Sequence, residues 1–252
     1  LHECLVDAPC PLLLPVPTTS PWWPDHPLPD PTPWESALER SRREGTLLFN
    51  GPLLRLEEFE TRGPLLLLHV GRTTYEAYVN TRAGPASWSP GAPRAHPLAV
   101  CAALETADGR LVLDRRRGVE GHAGRVHVVA GWIDPRRDTG SDPREAMARE
   151  IEEEVGCALP PGELACLGLV FDRVLPHPEL CFHGRLGVPA SALRPGSEMG
   201  GLYTVPFSPA GLEGLVEGAA TTPTARGLLL LLGKRLWGGG RGNGAGRREG
   251  KT

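Results

Sequence analysis

The chain has 252 residues and a mass of 27.0 kDa, room for one core domain with an appendage rather than two large domains. Its net charge of −3 excludes a general nucleic-acid binder, which would carry a basic surplus. No apolar run approaches the roughly 20 residues needed to cross a bilayer, and the first residues lack the basic-then-apolar order of a secretory signal. The six cysteines form no C-x-x-C pair, and four lie within apolar stretches, as structural thiols of a cytoplasmic protein do.

Residues 1–33 hold ten prolines, together with Trp22 and Trp23. Such a segment cannot form a long helix or a central strand, and is expected to run extended over the surface. Trp34 to Glu44 reads as a short helix ended by Gly45, Leu47 to Glu60 and Pro64 to Val70 as strands, and Thr73 to Val79 as a short helix. A loop rich in Gly, Pro and Ser, Gly84 to Pro93, suggests a boundary. Residues 1–94 then form an α+β N-terminal segment. Beyond it, Leu98–Leu104 and Leu111–Asp114 flank Asp108-Gly109, a strong hairpin signal. Arg125–Trp132 reads as one strand and Pro143–Val155 as a helix. Leu164–Phe171, Glu179–Val188 and Gly201–Phe207 read as strands, and Thr222–Trp237 as a closing helix. Strands on both sides of a central helix predict an α/β sandwich with a mixed sheet over residues 95–237. The Gly- and Arg-rich stretch 238–252 is expected to be disordered.

The chemistry is concentrated between Gly131 and Cys157. Asp142 suits the N-cap of the central helix, Pro143 its first position and Glu145 the capping box, while Gly156 suits the left-handed stop. Met147, Ile151 and Val155 form the stripe that faces the core, and Glu150, Glu153 and Glu154 fall beside it within an arc of roughly 100°. Three such carboxylates repel one another by about 0.2–0.5 kcal/mol per pair. Read from spacing alone, they are either a solvated acidic face or hard oxygen ligands for a divalent cation completed by substrate phosphates.

The run Arg149-Glu150-Ile151-Glu152-Glu153-Glu154-Val155-Gly156-Cys157 resembles, at every position, the second half of the box that marks Nudix hydrolases, R-E-U-x-E-E-x-G-U with U apolar. Gly131 resembles the leading glycine of that box. The match departs in its first half. Gly131 to Arg149 spans 18 positions where the family has 14, so the loop is about four residues longer. Ser141 stands where the family places a glutamate that orients the arginine, leaving Arg149 without that acid.

Gly71-Arg72-Thr73-Thr74-Tyr75, the Thr106–Gly124 stretch and the long N-terminal segment are similar to the UDP-glucose-hydrolysing Nudix group. The resemblance implies a Nudix-type α/β/α sandwich and hydrolysis of a nucleoside diphosphate sugar to a nucleoside monophosphate and a sugar phosphate. It implies Mg²⁺ or Mn²⁺ held by Glu150, Glu153 and Glu154, with a carbonyl of Ala130 or Gly131, and Arg149 holding the glutamates in place. ADP-ribose or another nucleoside diphosphate derivative is the alternative substrate, and a non-catalytic metabolite-binding domain the alternative class.

Four further groups have two readings each. Arg115 and Arg116, with Arg117, suit a diphosphate clamp or a solvated turn. Glu179 suits a further acid at the substrate, as metal ligand or base, or an edge-strand charge. Tyr75 suits stacking on a base or packing in a core. His127 suits the site or, more plainly, a structural histidine.

Overall fold

The computed structural model describes residues 2–7, 12–17, 30–45, 48–84, 86–117, 122–138, 142–196 and 199–238. Trp22, Trp23, Cys10, Ser141 and the stretch beyond Gly238 lie outside the described residues.

The chain begins with two short strands, β1 (His2–Asp7) and β2 (Leu12–Pro17), then a helix, α1 (Thr32–Glu44). A hairpin follows, β3 (Pro52–Arg62) and β4 (Leu65–Thr74), running directly into α2 (Tyr75–Thr81). The remaining elements are β5 (Ala99–Glu105), β6 (Arg110–Arg115), β7 (Val126–His127), β8 (Val129–Trp132), α3 (Pro143–Val155), β9 (Ala165–Asp172), β10 (His177–Arg185), β11 (Leu202–Pro206), α4 (Pro209–Glu217) and α5 (Pro223–Trp237).

The main sheet has the order β1-β9-β10-β5-β6-β11, with β8 paired to β5 and β7 to β6. It is mixed: β10 runs parallel to β5, while β5 is antiparallel to β8. Alternation along the strands gives two apolar faces. Val100, Ala102, Leu104, Leu180 and Phe182 face Met147, Ile151 and Val155 of α3 in one core. Cys101, Ala103, Leu111, Leu113 and Cys181 pack on the other side against Leu212 of α4 and Leu228, Leu229 and Leu232 of α5. The result is the expected α/β/α sandwich. At about 25 cal/mol per Å² of apolar area removed from water, each fully buried leucine contributes roughly 2 kcal/mol before ordering costs.

The N-terminal segment is built into this arrangement rather than draped over it. β1 pairs antiparallel with β9, so its residues extend the main sheet. β2, despite Pro15 and Pro17, forms a parallel edge of a second, three-stranded sheet ordered β2-β4-β3. An edge tolerates proline because one side of the strand needs no donor. Leu56, Leu66, Leu68 and Val70 of that small sheet are buried in the same core as α3. Backbone bonds from Leu54 to Ile133 and from Leu98 to Leu54 tie the two sheets together.

Two local expectations differ from the structure. Arg125–Trp132 is not one strand: it divides at Val128, because β7 bonds to β6 and β8 bonds to β5 as those neighbours splay apart. The segment after β11 contains a helix, α4, that the sequence pattern left unassigned. Ser208 caps it by accepting from the Gly211 backbone N–H at 3.2 Å.

Candidate active site

α3 is positioned by the features legible in its sequence. The Asp142 side chain accepts from the Arg144 backbone N–H at 2.9 Å, Pro143 opens the first turn, and Gly156 closes the helix at φ +67°. With the helix set in register, its glutamates take three different environments. Glu150 is buried, Glu154 is partly buried and Glu153 is exposed.

Glu150 lies against the β8 backbone at Gly131. A Cβ added at position 131 would fall 2.0 Å from the Glu150 carboxyl carbon. The leading glycine of the box is therefore required by the close approach of a carboxylate to the strand. Glu154 reaches the next residue, its Oε2 accepting from the Ala130 backbone N–H at 3.4 Å. Burial, and then the charge of Glu150 beside it, push the Glu154 pKa up to about 8.

Arg149 holds the opposite side of this group. Its Nη1 lies 2.7 Å from Glu150 Oε1 and 3.0 Å from Glu153 Oε2, and its Nη2 donates to the Trp132 carbonyl at 3.3 Å. Arg137 also pairs with Glu153. The expected carboxylate repulsion is thus relieved from within the chain, by two guanidinium groups at Glu153 and one at Glu150. Among the described residues no three side chains of the metal-ligating types are gathered round one point, since Glu153 is turned to its arginines. The donor set nevertheless fits a hard divalent cation. Glu150 and Glu154 are crowded acids with the strand backbone at Gly131 and Ala130 beside them, hard oxygen donors of the kind such a cation takes.

The acid that Ser141 does not supply comes from elsewhere in the lengthened loop. Asp138 accepts from Arg149 Nε at 2.9 Å and Nη2 at 3.0 Å, a bidentate pair. The geometry of Arg149, in question once the box acid is replaced by Ser141, is held by this contact. Its cause is the longer loop, which returns Asp138 to the arginine.

Arg115, Arg116 and Arg117 line one open cavity of about 510 Å³ with Gly200, Gly201 and Tyr203. Gly200 lets the two segments touch, since a Cβ there would meet the Arg115 carbonyl oxygen at 2.0 Å. Arg116 stands close enough to Glu154 to lower its pKa, opposing Asp114, which raises it.

Glu179 is not placed at a substrate surface. Its side chain is 2% exposed, with Oε1 3.5 Å from His127 Nε2 and Oε2 3.7 Å from His177 Nε2. Burial opposes ionisation, but the two histidines outweigh it and hold the carboxyl well below the usual range. Burial lowers the His127 pKa, so this ring is neutral. Its Nδ1 accepts from the Thr222 hydroxyl at 2.6 Å, which leaves the Nε2 proton facing Glu179. His177 is raised despite its burial, through Glu179, and its Nδ1 donates to the Leu175 carbonyl at 2.6 Å. Asp172, 2.6 Å from His122, extends this buried network. Tyr75 is half-buried, with Trp34, Tyr78 and Trp132 around it at ring separations of 6.1, 6.0 and 6.5 Å. Sequence reasoning missed Asp138 and the His177–Glu179–His127–Thr222 chain. The first sits in an aperiodic loop, and the second joins residues up to 95 positions apart.

Residues 95–198 match the NUDIX domain family. It is also 37% identical over 120 residues to a uridine diphosphate glucose pyrophosphatase, NUDT22, from Bos taurus. That alignment covers 41% of this chain and 40% of the relative, so the chain matches about two-fifths of the relative's length. Among solved structures, the chain is similar to a MutT protein from Methanosarcina mazei Go1, with 19% identity, 55% of this chain and 93% of that one covered, and a TM-score of 0.43. It is also similar to the NUDIX domain of Shewanella oneidensis NrtR complexed with ADP ribose, with 18% identity, 60% and 94% covered, and a TM-score of 0.46.

Proposed function

We propose that the protein is a divalent-cation-dependent Nudix pyrophosphohydrolase that cleaves the diphosphate of a nucleoside diphosphate sugar, of the UDP-glucose type, to UMP and a sugar 1-phosphate. The observation that carries this reading is the packing of Glu150 and Glu154 of α3 against the β8 backbone at Gly131 and Ala130, which gathers two acids beside strand carbonyls. The arginine-lined cavity of Arg115, Arg116 and Arg117 supplies the basic wall for the phosphates in this reading.

Glu150, Glu153 and Glu154, with a carbonyl of Ala130 or Gly131, are the groups to hold Mg²⁺ or Mn²⁺. The bound cation would neutralise charge on the diphosphate and acidify water beside it. Arg115 and Arg116 grip the phosphates, a task that suits planar guanidinium groups. Arg149 fixes Glu150 and Glu153 from behind. A box glutamate takes the proton from the attacking water. Glu179, locked between two histidines and held strongly acidic, is a poor base and instead supports the β10 end of the sheet. The UDP-sugar preference draws on the likeness to the bovine pyrophosphatase.

Among the described residues no helix is long and apolar enough to cross a membrane. Cys4, Cys101, Cys157 and Cys181 are free thiols, which suits the reducing cytoplasm where we place the protein.

The test is hydrolysis of UDP-glucose, UDP-galactose and ADP-ribose at equal concentration, with Mg²⁺ and with chelator. Cation-dependent release of UMP, faster than AMP from ADP-ribose, is expected. A tenfold preference for ADP-ribose would move the protein to the other substrate class. No turnover on any of the three, with intact binding, would make it a metabolite-binding domain.

A further inference from the structure

We infer that Asp138 is a positioning residue for the proposed hydrolysis: the lengthened loop before α3 carries the acid that orients Arg149, in place of the serine at 141. The inference rests on the reading of α3 as the cation-binding helix.

The geometry is that of a relay with fixed ends. The loop turns tightly after β8. The Asp138 backbone N–H donates to the Asp134 carbonyl at 2.8 Å, and the Asp134 N–H donates back to Asp138 Oδ2 at 2.8 Å. Arg137 N–H also donates to the Asp134 carbonyl, and Arg136 N–H to Asp134 Oδ1 at 2.8 Å. Backbone and side chain thus close the same five-residue turn, so the Asp138 carboxylate has one place to be. It is only 7% exposed, and both its oxygens face Arg149.

The guanidinium is planar, so fixing its Nε and Nη2 edge on Asp138 fixes where Nη1 points. Nη1 is the atom shared by Glu150 and Glu153. The carbonyl of Trp132 accepts the remaining Nη2 proton and ties the assembly to β8, one residue past Gly131. Without Asp138 the guanidinium turns about its own bonds, and the two glutamates lose their common reference. Partners that orient metal-ligating side chains in this way are worth about 10–100-fold in affinity or activity.

The experiment uses the full chain with Asp138→Asn, and with Asp138→Asn combined with Ser141→Glu. Asparagine keeps the size and one acceptor but cannot accept from both Nε and Nη2 of Arg149. Three quantities are read: Mn²⁺ affinity by titration, kcat and KM on the preferred nucleotide sugar, and the Arg149 Nε–H resonance. Asp138→Asn should weaken Mn²⁺ binding and lower kcat by about tenfold or more, with KM changed less than threefold. The Arg149 signal should lose its protection from exchange. Ser141→Glu should restore a substantial part of kcat and Mn²⁺ affinity.

Mn²⁺ affinity and kcat within twofold of wild type in Asp138→Asn would overturn the inference. So would a double variant that recovers the wild-type melting temperature but neither Mn²⁺ binding nor kcat, because the carboxylate would then serve only the loop's own fold. Wild type that binds no Mn²⁺ would defeat the hydrolase reading alone. The Arg149 resonance would still decide whether Asp138 orients it: protection lost in Asp138→Asn supports the inference, and protection unchanged refutes it.

Discussion

Gly131→Ala separates catalytic geometry from stability at a single methyl group. Gly131 pairs with Val100 in the β5–β8 ladder and is not among the residues at positive φ, so alanine introduces no backbone strain. The cost lies in the clash. The new Cβ would sit 2.0, 2.2 and 2.4 Å from the carboxyl carbon and two oxygens of Glu150, where ordinary contact begins at 3.4 Å. The carboxylate must retreat by about 1.4 Å, the gap between those distances. It then gives up its 2.7 Å contact with Arg149, from a site where the side chain is 12% exposed.

A buried carboxylate that loses a charged partner costs about 1–3 kcal/mol. The effect on turnover should be larger than that loss of stability implies, because misplacing a reacting group's neighbour by 1 Å costs about 10²-fold. Thermal melts and steady-state kinetics on the same preparation are the assay. The expected result is a protein that still melts cooperatively, with Mn²⁺ affinity and kcat both down by about 10²-fold. The control is Gly63→Ala, at φ +58° with open space around it. It should cost roughly 1 kcal/mol of backbone strain and leave kcat unchanged. Gly131→Ala retaining kcat within threefold of wild type would show that Glu150 has no part in the reaction.

Glu153→Gln should lower kcat by more than tenfold while the melting temperature barely moves. Glu153 is 44% exposed and its arginine pairs are worth about 0–1 kcal/mol each; activity above a tenth of wild type removes it from the cation set. Arg116→Leu should raise KM for a nucleotide sugar by about tenfold, since a charged hydrogen bond contributes roughly 1.5–3 kcal/mol; an unchanged KM would place the phosphates elsewhere. Glu179→Gln should destabilise the fold by about 3–5 kcal/mol near pH 6, where the buried His177–Glu179 pair is intact. The window follows from the two shifts. The depressed Glu179 contributes stability above about pH 4.5 and loses it as pH falls toward its folded pKa; the raised His177 contributes below about pH 6.5 and loses it as pH rises through its folded pKa. Melting temperatures of wild type and variant measured from pH 4 to 9 should differ most between those limits, and a constant difference across the range would refute the assignment.

The legible parts of the chain were those governed by local rules. The caps at Asp142 and Gly156 and the Asp108-Gly109 turn come from residues within a few positions of one another. The α3 stripe repeats every four residues and found its sheet as expected. What escaped local reading depends on distant partners. β1 is a strand because β9 offers it an edge, and nothing in its own composition announces that pairing. Glu179 sits at the start of an apolar strand, where an acid suggests an exposed edge. The arrival of His127, 52 positions earlier, beside the neighbouring His177 makes burial tolerable.

The same distinction separates the two halves of the box: the helix that bears the second half was legible in the sequence, and the contacts of the first half were not. Positions 149–155 lie on one helix, where spacing fixes direction, so the side each residue faces follows from its place in the run. The preceding loop has no such period. What Arg149 requires there is a carboxylate at a point in space, and a loop four residues longer meets that requirement with a different residue. Asp138 is eleven positions before Arg149, Ser141 eight, yet the turn closed on Asp134 brings Asp138 within 2.9 Å. A motif compared column by column registers a lost acid, whereas the fold registers one that has moved. The loop differs in length and sequence from the family pattern, and within it Arg149 has a bidentate carboxylate partner.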